Sequence, residues 1–319
     1  MPGPFTVLVA DFLDETSIET PLLEDIARIV VARATVESAL EPYLADTDAM
    51  IVYHDISVIS DATFRRAPKC KCVVRAGVGY NNVDRTAAAH RGIVVCNVPD
   101  YGTEEVADHA LALMLALARR LFPSHEAIRA GGWDYKTAFG SPRLRGKTFG
   151  VVGCGRIGTA AALRAKAFGM DVVFYDPLKP DGTDKALGVR RVYSLEELLE
   201  QSHVVSLHCY LDETTHHLID AQAFAKMRPG AMLINTARGP VVDQKALLEA
   251  LDSGHLGSAG LDVVEVEPLD DESLRQHPRV IFTPHSAFYS VEGYVELRTK
   301  TALEVRRVLL GEKPRNPVN

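Results

Sequence analysis

Ten short apolar runs recur along the chain: TVLVA, AMIVY, CVVRAG, IVVCNV, TFGVVG, DVVFYD, HVVSLHC, AMLINT, SAGLDVV and RVIFTPH. Most carry β-branched residues on consecutive positions rather than on alternate ones. A strand that is apolar on both faces is covered on both, which is the condition of a parallel sheet between layers of helices. Amphipathic helical patterns separate the runs, so the chain is predicted to be an α/β protein.

One long helix is predicted from Thr103, whose hydroxyl can cap it. Glu104 and Glu105 fall in its first turn and Arg119-Arg120 in its last, where each charge complements the helix dipole, and Pro123 is expected to stop it. The following segment, HEAIRAGGWDYKTAFGSPRLRGK, holds glycines, aromatic and basic residues without a sustained period. It is expected to be an arm or loop, a candidate subunit contact, before a new core opens at KTFGVVG. No internal repeat or low-complexity segment interrupts the pattern.

At 319 residues the chain is long enough for two domains of moderate size. Its 42 acidic and 35 basic side chains leave a net charge of −7 with no dense Lys/Arg block, which argues against a nucleic-acid partner. Cys70, Cys72, Cys96, Cys154 and Cys209 lie in or beside apolar runs without C-x-x-C spacing and read as reduced, cytoplasmic thiols. Cys70-Lys71-Cys72 lacks the further ligands a metal site needs, and the neighbouring side chains of His216 and His217 are expected to diverge, so no metal is predicted. The N-terminal MPGPFTVLVADF reads as a first strand rather than a signal peptide. ALALMLALA, Ala110 to Ala118, is too short to span a bilayer, so no membrane association is expected.

VVGCGRIG places Gly153, Gly155 and Gly158 in G-x-G-x-x-G register between a predicted strand and a predicted helix. Two glycines let the backbone turn tightly and approach a pyrophosphate; the third lets the helix pack closely on the sheet. Arg156 and Ile157 complete the loop. The next strand, DVVFYD, ends in Asp176, at the distance where a carboxylate accepts ribose hydroxyls and repels a ribose phosphate. Pro177 follows and no arginine stands directly behind the acid, so NAD(H) is expected in preference to NADP(H). Cys154 within the loop reads as a small buried side chain, with a redox switch as the alternative.

Three further strands end in polar residues: LINTARG in Arg238, LDVVEVEP in Asp262 and Glu267, and FTPH in His285. In open α/β sheets ligands sit beyond the carboxyl ends of strands, so these groups can converge on one end of a bound dinucleotide. Each also has a bland reading: a surface ion pair for Arg238, a loop acid for Glu267, a polar strand cap for His285.

The glycine motif with Asp176, NTARG, Glu267-Pro268 and TPH, together with RAGVGYNNVD from Arg75, stand in the order and spacing of the D-2-hydroxyacid dehydrogenase family. The resemblance runs from about Cys72 to the C-terminus, and FYDP, LHC, NTARG and the YS after His285 are most similar to the C-terminal-binding-protein branch. It implies a NAD-dependent interconversion of a 2-oxo acid and a D-2-hydroxy acid. Arg238 would bind the substrate carboxylate and polarise the carbonyl. His285 would act as the acid/base, in keeping with a free imidazole pKa of about 6.5, and Glu267 would orient its ring. Arg75, Ala76, Gly77 and Val78 would grip the substrate from the other lobe, Val78 also meeting the cofactor, with Phe288 bordering the substrate side chain. Asp262 would hold the nicotinamide carboxamide, and Thr236, Ala237, Cys209 and Thr214 would line the cofactor. Asn81 departs from the family pattern, which has an acid there. Phe288 stands where the C-terminal-binding-protein branch carries tryptophan, an apolar wall suited to a hydrophobic or small 2-oxo acid.

The resemblance also implies two Rossmann-like doubly wound domains, a NAD-binding domain of residues 99–286 inserted in a discontinuous, flavodoxin-like substrate-binding domain of residues 1–98 and 287–319. Closure between lobes would exclude water. The helix from Thr103 and its arm are the family's usual dimer contact, which implies a homodimer. A corepressor that senses NAD(H) and binds peptides is the alternative; a chain ending at Asn319 without a long disordered tail, and a complete Arg238, Glu267, His285 set, favour the enzyme.

Overall fold

The computed structural model describes residues 3–319. They form two compact units. One joins the described residues up to Gly102 with Ser290–Asn319, and the other is the continuous segment Thr103–Tyr289.

The first unit is built on a parallel sheet of β1 (Phe5–Val9), β2 (Ala27–Val31), β3 (Ala49–Val52), β4 (Cys72–Arg75) and β5 (Val94–Asn97), in the order β2-β1-β3-β4-β5. This is the flavodoxin-like order. All residues of β3 and β4 are buried, as continuous apolar runs require of central strands. Strand β2 was not anticipated: it is an edge strand with one neighbour, its residues are mostly half-exposed, and Arg28 interrupts its apolar pattern.

The helix Val291–Leu309 closes one face of this sheet, packing on β3 and β4. Ser290 caps it by accepting a hydrogen bond from Gly293 N at 2.8 Å. Its Arg298, only 3% exposed, donates to both oxygens of the fully buried Glu19 at 2.7 and 2.6 Å and also to Glu15. Beyond the helix, Glu304 accepts from Arg315 N and Asn316 N, and Val318 N donates to Val95 O at 2.8 Å. The side chain of Asn319 accepts from Val95 N and donates to Ile93 O, so this segment covers the open edge of β5.

The second unit holds β6 (Thr148–Val152), β7 (Asp171–Tyr175), β8 (Arg190–Arg191), β9 (Val204–Leu207), β10 (Ala231–Asn235), β11 (Leu256–Leu261) and β12 (Val280–Phe282). Every pairing is parallel and the order is β12-β11-β10-β9-β6-β7-β8. The chain order reverses beside β6, whose neighbours are β7 and β9, and such a switch point opens a crevice at the carboxyl ends of the strands. Both sheets are parallel and covered by helices, the α/β class predicted from the apolar runs.

The predicted helix spans Thr103–Ala118, but Pro123 does not end it. Arg120 adopts a left-handed conformation (φ 52°), and a second helix, Leu121–Arg129, begins at once. Pro123 lies in the first turn of that helix, where a missing N–H costs nothing. The segment expected to be an irregular arm from His125 is therefore helical to Arg129. It continues through a short 3₁₀ turn, Tyr135–Ala138, and carries Trp133, Tyr135 and Phe139 at 88%, 78% and 63% exposure. No helix among the described residues is long and apolar enough to cross a membrane.

Candidate active site

The glycine loop follows β6. Gly153 takes φ +89°, and a Cβ there would lie 2.6 Å from Cys209 N, so the loops after β6 and β9 can meet only without a side chain. A Cβ on Gly158 would lie 2.0 Å from Gly153 O, which is the close helix–loop packing expected of the third glycine. At Gly155 a Cβ would meet nothing within 4 Å. Gly155 is also the N-cap of the helix Arg156–Ala167, and no side chain caps it. The loop thus presents uncapped first-turn amides, those of Arg156 and Ile157 among them, at a helix N-terminus, a place suited to an anion.

Asp176 follows β7, and its carboxylate accepts from Cys154 N and Leu178 N, both at 2.9 Å, which fixes it against the glycine loop with acceptor capacity to spare. Burial raises the Cys154 thiol above the ordinary range, disfavouring the thiolate that a redox switch needs. Burial likewise pushes Cys209 up to about 12. Thr214 is exposed, its N–H and hydroxyl turned to Asp212. The hydroxyl of Thr236 is buried without a protein partner, and Ala237 N donates to Asn235 Oδ1. An open cradle at Gly155, an uncapped helix end, an anchored carboxylate and an orphaned hydroxyl fit a dinucleotide in chemistry.

The three strand ends beyond β10, β11 and β12 bring Arg238, Glu267 and His285 into one electrostatic cluster. Arg238 is half-buried, with Nη1 donating to Ala237 O at 2.7 Å. Its segment is pressed onto the next one, because a Cβ on Gly239 would stand 1.8 Å from Val264 O. His285 Nδ1 lies 2.8 Å from Glu267 Oε2. Burial pushes the Glu267 carboxyl up, but the hydrogen bond and charge of His285, the Val264 N–H and the charge of Arg238 outweigh it and hold the group below its ordinary value.

Asp262 is 3% exposed and holds the turn that bears His285. Its Oδ1 accepts from the Thr283 hydroxyl at 2.6 Å and from Ser286 N at 2.9 Å, its Oδ2 accepts from Ala287 N at 3.0 Å, and its main-chain oxygen accepts from His285 N at 2.8 Å. His285 itself takes φ +53°, an uncommon conformation for a residue with a side chain. Phe288 follows on this turn, half-buried and edge-on to Tyr289.

In the first unit Arg75 ends β4 and is buried, donating through Nη1 to Ala76 O at 3.0 Å. Gly77, at φ +148°, leaves the space its guanidinium fills, since a Cβ there would lie 1.8 Å from Nη1. Val78 O accepts from the Asn97 side chain at 2.7 Å. Asn81 is exposed, whereas the adjacent Asn82 is buried and ties the loop to Tyr53 O and Ile56 O.

Several supporting residues escaped the reading from sequence. Asn235 brackets the Thr236–Arg238 turn, donating to Arg238 O at 3.0 Å while accepting from Ala237 N; its place as the first residue of NTARG was the available signal. For Thr283 the signal was its place as the first residue of TPH, two positions before His285. His216 and His217 do not diverge: left-handed φ (+49°) at His217 stacks their rings at 4.0 Å. His217 Nε2 lies 2.7 Å from Glu265, and His217 N donates to Pro240 O, tying the segments that carry Arg238 and Glu267.

Residues 111–287 match the family described as D-isomer specific 2-hydroxyacid dehydrogenase, NAD binding domain. The chain is 38% identical over 313 residues to D-3-phosphoglycerate dehydrogenase of Methanocaldococcus jannaschii, covering 98% of this chain and 59% of that protein. It is 35% identical over 312 residues to C-terminal-binding protein 1 of Caenorhabditis elegans, covering 95% of this chain and 43% of that one. It therefore spans less than two thirds of either curated relative. Among solved structures, D-lactate dehydrogenase of Aquifex aeolicus complexed with NAD and lactic acid superposes with a TM-score of 0.87 at 30% identity, covering 96% of each chain. With the family match extending over more than half of its length, the chain belongs to the D-isomer specific 2-hydroxyacid dehydrogenase family.

Proposed function

We propose that the chain is a NAD(H)-dependent oxidoreductase that interconverts a 2-oxo acid and a D-2-hydroxy acid. The observation that carries this reading is the 2.8 Å His285–Glu267 contact with the Arg238 charge acting on the same carboxylate. An acid/base, its orienting partner and an anion-binding cation stand together at the carboxyl ends of adjacent strands.

Each group has a role that its geometry supports. Nδ1–H of His285 donates to Glu267, which orients the ring, and Nε2 is the nitrogen assigned to exchange the reacting proton. A bound nicotinamide would supply hydride chemistry at the carbonyl carbon; the part of His285 is to give its Nε2 proton to the carbonyl oxygen in reduction and to take it back in oxidation. Arg238 pairs with the substrate carboxylate through its planar fork and polarises the carbonyl. Asp262 has one acceptor position left on Oδ2 for the carboxamide. Assignment of Arg75, Ala76, Gly77, Val78 and Phe288 to substrate recognition rests on the resemblance alone, with an apolar or small side chain favoured by Phe288.

Selection of NAD(H) over NADP(H) rests on the anchored carboxylate of Asp176. The nearby Arg191 is already engaged by Asp176 O, Asp181 and the ring of Tyr193. A homodimer is supported by the exposed aromatic residues of the 121–139 segment, and a reducing cytoplasmic location by the five free cysteines.

The test is NADH oxidation across glyoxylate, hydroxypyruvate, pyruvate, phenylpyruvate and longer apolar 2-oxo acids, repeated with NADPH. Turnover of one member establishes the class. A preference for phosphorylated or dicarboxylic acids would remove the assignment of Phe288. Tight NADH binding without any turnover would favour the second reading, a cofactor-sensing partner protein, which the likeness to C-terminal-binding protein 1 supports.

A further inference from the structure

The helix Thr103–Ala118 packs on β11 at Gly260, where the missing side chain leaves room for it. A Cβ at Gly260 would stand 3.0 Å from Leu113 Cβ. One turn earlier on the same helix face lies His109, four residues before Leu113, and it reaches the strand ends just past Gly260. His109 Nε2 is 2.8 Å from Thr283 Oγ1 and 3.7 Å from Asp262 Oδ1.

A proton count gives this chain of contacts a direction. The hydroxyl of Thr283 has one proton, and its 2.6 Å bond to Asp262 Oδ1, which also accepts from Ser286 N, takes it. Thr283 can therefore only accept from His109, so Nε2 of His109 carries a hydrogen. On the far side Asp262 receives Ser286 N and Ala287 N, and its main-chain oxygen receives His285 N. These bonds over-determine the positive φ of His285, which would otherwise relax toward a commoner conformation.

We infer that His109 is a positioning residue for His285. It donates to Thr283, Thr283 is thereby turned toward Asp262, and Asp262 clamps the 285–287 turn at the angle from which the imidazole meets its substrate. The inference rests on the proposed function, in which His285 is the acid/base. The bland alternative is that His109 only fills polar space beside a strand end.

The experiment compares His109→Leu, Thr283→Val, their double variant and Thr283→Ser with the wild type, using the best 2-oxo acid and NADH, and follows amide exchange at Ser286 and Ala287. Expected are a kcat lowered roughly tenfold in both single variants, less than the ~100-fold that a 1 Å misplacement can cause, with KM and NADH affinity nearly unchanged. Thr283→Ser should restore kcat, the double variant should lose no more than the worse single one, and exchange at both amides should quicken. Normal kcat and unaltered exchange in a stably folded His109→Leu would overturn the inference, as would losses confined to NADH affinity or multiplying in the double variant. If the wild type turns over nothing, the functional reading fails, and the relay is then judged on exchange at Ser286 and Ala287 alone.

Discussion

His285 Nδ1 and Glu267 Oε2 stand 2.8 Å apart, although their residues leave the ends of different strands, β12 and β11. The contact fixes the His285 ring through Nδ1 against a carboxylate from a neighbouring strand end. His285→Ala should lower kcat by about 10²–10⁴-fold while NADH affinity measured by fluorescence titration stays within a factor of about two. Near-normal turnover by this variant would end the assignment.

Glu267 gives the site its tolerance of acid. Its carboxyl is raised by burial but lowered further by His285 and by the charge of Arg238, so its folded pKa lies below the ordinary 4.5. The Glu267 carboxylate is fully ionised well above 4.5, and its contribution is lost only as pH falls through that lower value. A kcat profile should therefore show no loss from this carboxylate at pH 5. Glu267→Gln, which keeps the shape and removes the charge, should lower kcat by on the order of tenfold to a hundredfold at every pH above that range.

Gly155 and Gly158 should respond differently to the same change. Gly158→Ala puts a methyl group 2.0 Å from backbone, so both thermal stability and NADH binding should fall. Gly155→Ala adds a methyl group into open space at a negative φ, so melting should be unchanged. If the cradle holds the pyrophosphate, NADH affinity in Gly155→Ala should still drop by roughly tenfold or more, because that space is where the ligand approaches. Equal melting and equal affinity would show the cradle to be elsewhere.

Arg298 is a stability determinant of the first unit. Glu19→Gln removes the charge of the fully buried partner of Arg298, leaving only Glu15 to balance the guanidinium, and chemical denaturation should show a loss of about 3 kcal/mol. The exposed Glu15 behaves differently: hydrogen bonds from Ser17 and from Arg298 lower its pKa to about 2. Its small contribution is complete above 4.5 and disappears as pH falls through about 2, so Glu15→Gln should matter at pH 6 and be silent near pH 1.

The proposed subunit contact is open to a direct check. Replacing Trp133 and Tyr135, both highly exposed, with Asp and Ser should leave melting of the individual chain intact and halve the mass found by sedimentation. An unchanged mass would remove this segment from the interface.

The fold class was legible because parallel strands buried on both faces leave unbroken β-branched runs, and the residues after those runs mark the strand ends where chemistry collects. Strand β2 carries only the short run Ile29-Val30-Val31 behind the exposed Arg28 and lies half-exposed at an edge, and β8, two arginines long, leaves no run at all. Pro123 was misread because proline is tolerated in a first turn as readily as it ends a helix. What no pattern could disclose is which polar groups meet. Asp262 looks like any acid after a strand, yet it clamps the turn of His285, and His109 looks like one polar position on an apolar helix. Their contacts arise from packing at Gly260, a residue whose importance lies in the side chain it lacks.

The discontinuity of the first unit sets an order of events during synthesis. The 103–289 segment is continuous and can fold as soon as it has left the ribosome, while β3 and β4 must wait for the helix Val291–Leu309 that covers them. At about 5–20 residues per second, the intervening 187 residues (289 − 103 + 1) take on the order of 10–40 s to make. For that interval the nascent chain carries a sheet with one bare apolar face, an invitation to chaperones and to misassembly with neighbouring chains on the same message.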